Sequence, residues 1–189
     1  LTGYLLAVFP LGLVALGGCS PTGNRLNLVT YDEAGKAKMH YTDFRRASFR
    51  QTSDGKIELV LHSQQASKVD PTQTIEQVVY LQTFWTPRPG TTYVDSTQVD
   101  TRIEYAIMTP PTGMRYDGGG FITYKIDKIT KEAVGYLESG NLSPAYKMGD
   151  AVEPFGPARI YGRFRAKENG ADVVNSLQML GNQFVTPAK

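Results

Sequence analysis

Val99-Asp100-Thr101-Arg102-Ile103-Glu104-Tyr105-Ala106-Ile107 is the stretch on which the fold turns. Val99, Ile103, Tyr105 and Ile107 fall on one phase of a two-residue repeat, and Asp100, Arg102 and Glu104 fall on the other. Successive side chains of a strand point to opposite faces, so the pattern predicts a half-buried strand with a charged outer face. The alternation recurs on both sides of this segment. Ile57, Leu59 and Leu61 alternate with Glu58, Val60 and His62, while Ile122, Tyr124 and Ile126 mark another half-buried strand. Ile75, Val79, Leu81 and Trp85 share one face and Val78, Tyr80 and Phe84 the other, which predicts a central strand apolar on both sides.

Turn chemistry separates these runs. Asp32-Glu33-Ala34-Gly35-Lys36 returns a first strand, carrying Leu26 and Leu28, antiparallel onto one carrying Met39 and Tyr41. The apolar phase shifts between Tyr41 and Phe44, predicting a bulge near Asp43 before Ala47 and Phe49 resume. Ser53-Asp54-Gly55 supplies residues that tolerate the positive φ of a tight reversal. Further breaks are expected at the polar stretch 64–72, at Thr86-Pro87-Arg88-Pro89-Gly90, at Thr109-Pro110-Pro111-Thr112-Gly113 and at Asp117-Gly118-Gly119-Gly120. Residues 140–157, with three prolines, read as a long loop. Gly135 and Gly162 sit inside strand patterns beside Tyr136 and Phe164, where a strand bends or another backbone comes close. Val173, Val174, Leu177 and Leu180 have helical spacing, with Asn169 or Asp172 as cap and Gly181 beyond the end. The expected fold is all-β: an antiparallel β-sandwich or partly closed β-barrel of about eight to ten strands, with a short C-terminal helix.

Composition agrees. Eleven Tyr, eight Phe and one Trp, with abundant Thr and Val, favour pleated structure. The 20 Lys and Arg and 18 Asp and Glu are interleaved along the chain, which gives no nucleic-acid footprint.

The first residues carry a different signal. The run from Tyr4 to Leu16 has no charge and is too short to span a bilayer comfortably, and it passes through Leu16-Gly17-Gly18 into the only cysteine, Cys19. These four residues resemble the lipobox of bacterial lipoproteins, in which an aliphatic residue and two small ones precede a lipid-modified Cys. The resemblance implies a signal peptide over residues 1–18 and a lipidated Cys19; the polar residues that follow read as a tether, to 25, and the length of the remainder suits a single β-rich domain over 26–189. The resemblance also implies a membrane partner through the lipid on Cys19, and Ser20 in place of Asp would permit sorting to the periplasmic face of an outer membrane in a diderm source. One acyl chain holds only marginally, and a lipoprotein terminus carries more than one.

Motifs for chemistry are sparse. The two histidines, His40 and His62, have no triad or metal spacing around them and read as exposed strand residues. The glycine run at 118–120 precedes a strand, whereas phosphate loops feed a helix. Asp95, Asp100 and Glu104 are the nearest carboxylates for glycoside hydrolysis, and an exposed face of alternating charge explains them better. No cofactor or metal is expected. Tyr80, Phe84, Trp85, Arg88 and Tyr93 form the candidate partner-binding set, because aromatics and Arg beside a rigid loop suit a protein or glycan surface. The function expected is a membrane-anchored, non-enzymatic envelope module. A lipocalin-like carrier of an apolar ligand is the alternative, and a hydrolase of wall polysaccharide comes third.

Overall fold

The computed structural model describes residues 23–67, 70–84 and 99–184. In them the chain forms nine strands and one helix: β1 (Asn24–Tyr31), β2 (Ala37–Phe44), β3 (Arg46–Gln51), β4 (Ile57–Ala66), β5 (Thr74–Thr83), β6 (Thr101–Thr109), β7 (Thr112–Asp127), β8 (Glu132–Met148), β9 (Ala158–Glu168) and α1 (Gly170–Gln183). Of the two all-β architectures expected, the chain adopts the barrel. Strands β3 to β9 follow one another as antiparallel neighbours, and a short parallel pairing of Ser48 and Phe49 with Lys167 and Glu168 closes the seven-stranded ring. The hairpin β1–β2 continues from the part of β9 that β3 leaves free, with residues 25–30 of β1 paired to residues 158–163 of β9.

The barrel interior is built from the inward phase of each strand. Phe49, Leu59, Leu61, Leu81, Ile103 and Tyr116 are among the side chains that meet there, all essentially removed from water. Each buried aliphatic or aromatic side chain stabilises the fold by about 1.5–3 kcal/mol through removal of apolar area from water. Thr42 of β2 donates to Gln77 Oε1 at 2.9 Å, and Phe44 joins the inner cluster, which ties the added hairpin to the barrel. The segment 149–157 is tied as well: the Phe155 ring lies 4.9 Å from His40 and 6.1 Å from Tyr116.

Two glycines show what close strand approach requires. A Cβ at Gly118 would stand 1.8 Å from the Asn141 carbonyl oxygen, so β7 and β8 could not approach there with any side chain. At Gly162, φ is +152° and a Cβ would stand 2.2 Å from the Arg25 carbonyl oxygen, where β1 lies against β9. Asp117-Gly118-Gly119-Gly120 is therefore no breaker. Those residues lie inside β7, which runs unbroken over sixteen residues and contains Met114 to Tyr116 as well.

A second apolar cluster lies outside the barrel. Val60, Val78, Tyr80, Ala106 and Met108, on the outward phase of β4, β5 and β6, pack against Val173, Leu180 and Phe184. The predicted tail helix is thus present, and its apolar stripe covers one outer wall. Asn169 caps it, its Oδ1 accepting from the Asp172 amide at 3.1 Å, and Asp172 places a negative charge in the first turn.

Several expectations are corrected. His62 on β4, Glu104 on β6 and Asp100 just before β6 are not solvated outward residues, at 6%, 7% and 8% exposed. The long loop is shorter than expected, because β8 continues through Pro144 to Met148, leaving only residues 149–157 irregular. The phase shift after Tyr41 is a strand break at Arg45 between β2 and β3, and the strand order begins at Asn24, inside the segment expected to be tether.

Candidate functional site

Tyr80 and Phe84 are the members of the predicted aromatic set that fall within the described residues; Trp85, Arg88 and Tyr93 lie outside them, as do Cys19, residues 1–18 and Asp95. Tyr80 is buried on the outer phase of β5, and its hydroxyl donates to Glu58 Oε1 at 3.1 Å. Burial and the neighbouring Glu58 carboxylate hold its phenol well above the usual tyrosine range. Phe84, just past β5, is 43% exposed.

Around Tyr80 the covered wall carries a band of matched charges. Glu58 pairs with Arg50 and accepts from Gln82 at 3.2 Å. Glu104 pairs with Arg102 at 2.6 Å, and Arg115, whose fork grips Asp117 at 2.9 and 3.0 Å, lies 3.9 Å from the Tyr146 ring centroid. Such pairs satisfy one another and leave little charge for a ligand. Asp100 is engaged separately, accepting from the Ile122 amide at 2.9 Å, and burial pushes its carboxyl up to about 6.

His62 sits beneath α1 in an arrangement that resembles a serine–histidine–acid relay in outline. Its Nε2 lies 2.7 Å from Ser176 Oγ, and its Nδ1 lies 3.8 Å from Glu76 Oε1. The chemistry is different. Ser176 Oγ donates to the Asp172 carbonyl at 2.7 Å and the residue is 4% exposed, so its hydroxyl is spent inside the helix and out of reach of a substrate. With that donation made, Nε2 carries the proton shared with Ser176, and Nδ1 is left buried without a hydrogen-bond partner. Desolvation first, and then the charge of Arg46, hold the imidazole below its ordinary pKa.

The opposite wall has no covering element among the described residues. Its register aligns Asp43, Arg25, Arg163 and Tyr136 in one row across β2, β1, β9 and β8. The next row holds Tyr41, Asn27 and Tyr161, and the one after it Met39, Val29, Arg159 and Asn141. Tyr31, Met39, Tyr41 and Tyr136 are each at least half exposed, at 50%, 57%, 69% and 55%. Arg25 lies over the Tyr41 ring at 5.6 Å, and the Tyr161 hydroxyl points at the Met39 sulfur, 3.9 Å away. Beside Tyr161, a dimple of about 150 Å³ is lined by Val29, Tyr31, Glu138 and Arg159. That is comparable to a cavity known to hold one benzene ring, about 150 Å³.

Tyrosine, methionine and arginine are the residues enriched where proteins recognise partners, since they offer large contact area at low conformational cost. Sequence reasoning missed this wall. Each residue could be put on the outward phase of its own strand, but the union of β2, β1, β9 and β8 depends on pairings across more than a hundred residues. Comparison with protein-family models, curated proteins and solved structures returned no match.

Proposed function

We propose that this protein is a membrane-anchored envelope lipoprotein, held by a lipid on Cys19, whose barrel is a non-enzymatic recognition module for a protein or glycan partner. The observation that carries the recognition half is the Tyr/Arg wall of β2, β1, β9 and β8, where, among the described residues, Tyr31, Tyr41 and Tyr136 are each at least half exposed. Exposed apolar and aromatic patches on a folded domain mark interaction sites. The lipobox-like Leu16-Gly17-Gly18-Cys19 carries the anchor half. A packed interior, with Phe49, Tyr116 and Phe164 at its centre, favours recognition on the outside over carriage of a ligand inside.

Two measurements test the two halves. Cys19→Ala should abolish membrane fractionation, and continued membrane association of that variant would remove the anchor. Tyr41→Ala with Tyr136→Ala should weaken capture of envelope partners at least tenfold while thermal unfolding stays unchanged, since central interface aromatics are the usual hot spots. Unchanged capture by that double variant would remove the recognition surface.

A further inference from the structure

Where the chain enters β1, at the margin of the bare wall, an open cleft of about 460 Å³ is lined by Gly23, Asn24, Arg25, Asp43, Arg45 and Arg163. Its volume is in the range of small-ligand sites, about 300–1,000 Å³. Arg25 and Arg163 are direct cross-strand partners in the β1–β9 register. Like charges placed directly opposite destabilise a sheet, so this pairing has a cost that needs an answer. Asp43 supplies part of it, taking the Arg25 fork at 2.6 and 3.0 Å. That bond fixes the Arg25 guanidinium in place and consumes one charge. Among the described residues neither Arg45 nor Arg163 has a carboxylate within ion-pair distance. Three guanidiniums against one carboxylate leave the cleft with a net charge of about +2, open to solvent. Guanidinium forks match the oxygens of phosphate in planar, two-pronged geometry, and such charge-assisted bonds are roughly twice as strong as neutral ones.

Position then selects the source of the phosphate. Gly23 follows Cys19 by four residues, a reach of at most about 14 Å. A chain lipidated at Cys19 therefore holds this cleft at the depth of the headgroups. We infer that the cleft formed by Arg25, Arg45 and Arg163 binds the phosphodiester of an anionic membrane phospholipid, setting how the barrel stands on the bilayer. The lipid source rests on the anchor proposed above; the anion chemistry rests on the cleft alone. Seating the Arg45 side of the cleft against the membrane leaves Tyr41, Tyr161 and Arg159, further along the same strands, and Tyr136, on β8 outside the cleft lining, available to a partner.

The full chain in neutral detergent micelles, with its arginine side-chain Nε–Hε resonances followed by NMR, allows a direct test. Short-chain phosphatidylglycerol, short-chain phosphatidylcholine and inorganic phosphate are the probes. The expected result is a saturable shift of Arg25, Arg45 and Arg163 with phosphatidylglycerol, at least tenfold weaker with phosphatidylcholine or inorganic phosphate. Arg45→Ala combined with Arg163→Ala should lower the phosphatidylglycerol affinity at least tenfold, whereas Arg165→Ala, outside the cleft lining, should leave it unchanged. All three substitutions are at positions that are not fully buried, and an unchanged far-UV spectrum would confirm that each variant is folded. Equal saturation by inorganic phosphate would overturn the headgroup assignment. No saturable shift with any probe would overturn the site. Because the shifts are read on the arginine side chains themselves and not on membrane association, these outcomes are independent of the Cys19→Ala fractionation result.

Discussion

The two outer walls of the barrel are cut from the same alternating pattern and put to opposite uses. On β4, β5 and β6 the outward positions carry Val60, Val78, Ala106 and Met108, small or flexible enough for a helix to lie flat on them. On β2, β1, β9 and β8 the same phase carries Tyr41, Tyr161, Tyr136 and the arginines at 25, 159 and 163. A helix laid on that second wall would have to bury Arg159 and Arg163, which have no carboxylate within ion-pair distance among the described residues, at a cost of several kcal/mol each, on the order of 3–5. The difference teaches that the chain's only described helix is placed by the chemistry of the wall, and that charge suits the other wall to stand without a described covering element.

The comparison breaks most visibly if charge is put on the covered wall. Val78→Asp should cost more than about 4 kcal/mol, because it buries an unpaired carboxylate under α1, and urea unfolding should find the variant unfolded or nearly so. The mirror change Tyr136→Asp, on the bare wall, should move stability by no more than about 0.5 kcal/mol. Equal losses in the two would mean that the bare wall is also structural. Leu180→Ala should cost about 2–4 kcal/mol by removing the buried methyl groups that seat α1 on the barrel.

Asp100, at the root of β6, sharpens the comparison with a pH dependence of its own. Its folded value, near 6, lies above the unfolded value of about 3.9, so its contribution is full below the unfolded value and is lost as pH rises through 6. Asp100→Asn keeps an oxygen for the Ile122 amide and should therefore stabilise by about 2 kcal/mol at pH 8 and by almost nothing at pH 3.5. Thermal melts across that range read the crossover.

His62 should bend the curve the other way. Its folded value lies below the ordinary histidine value, so the unfolded chain takes up the proton first, and stability falls as pH drops below about 6.5. The groups that face it are Arg46 from β3, Glu76 from β5, and Asp172 and Ser176 from α1. His62→Gln should flatten the acid side of the stability profile. A profile that stays unchanged would mean that the imidazole is already paired in both states. Tyr41→Ala is the smallest effect expected, about 0.5 kcal/mol or less on stability, because its ring is mostly in water.

The legible part of the fold was the local part. Alternation in Ile103, Tyr105 and Ile107 and in Leu59 and Leu61 placed inward faces correctly, and Asn169 marked the start of α1 where it stands. Barrel closure was not legible, because it rests on Ser48 meeting Lys167, and neither was the docking of β1 on β9, where Arg25 meets Arg163; neither pairing has a local signature. The burial of Glu58, Glu104 and His62 was missed for a related reason. A charged outward phase reads as solvated until a helix from the far end of the chain, or a cross-strand arginine such as Arg50 on Glu58 or Arg115 on Glu104, is seen to lie over it. Glycines misled in the opposite direction: three in a row read as a break, but in β7 they let the neighbouring strand come close.

A photo-crosslinking side chain placed at residue 136, in the full chain within its own envelope, tests whether the wall of β2, β1, β9 and β8 meets a partner. Residue 129, in the turn after β7 and 92% exposed, is the matched control. The expected result is a discrete crosslinked product from position 136 that disappears when Tyr41 is also replaced by Ala, and none from position 129. Products from both positions alike, or from position 129 alone, would contradict it.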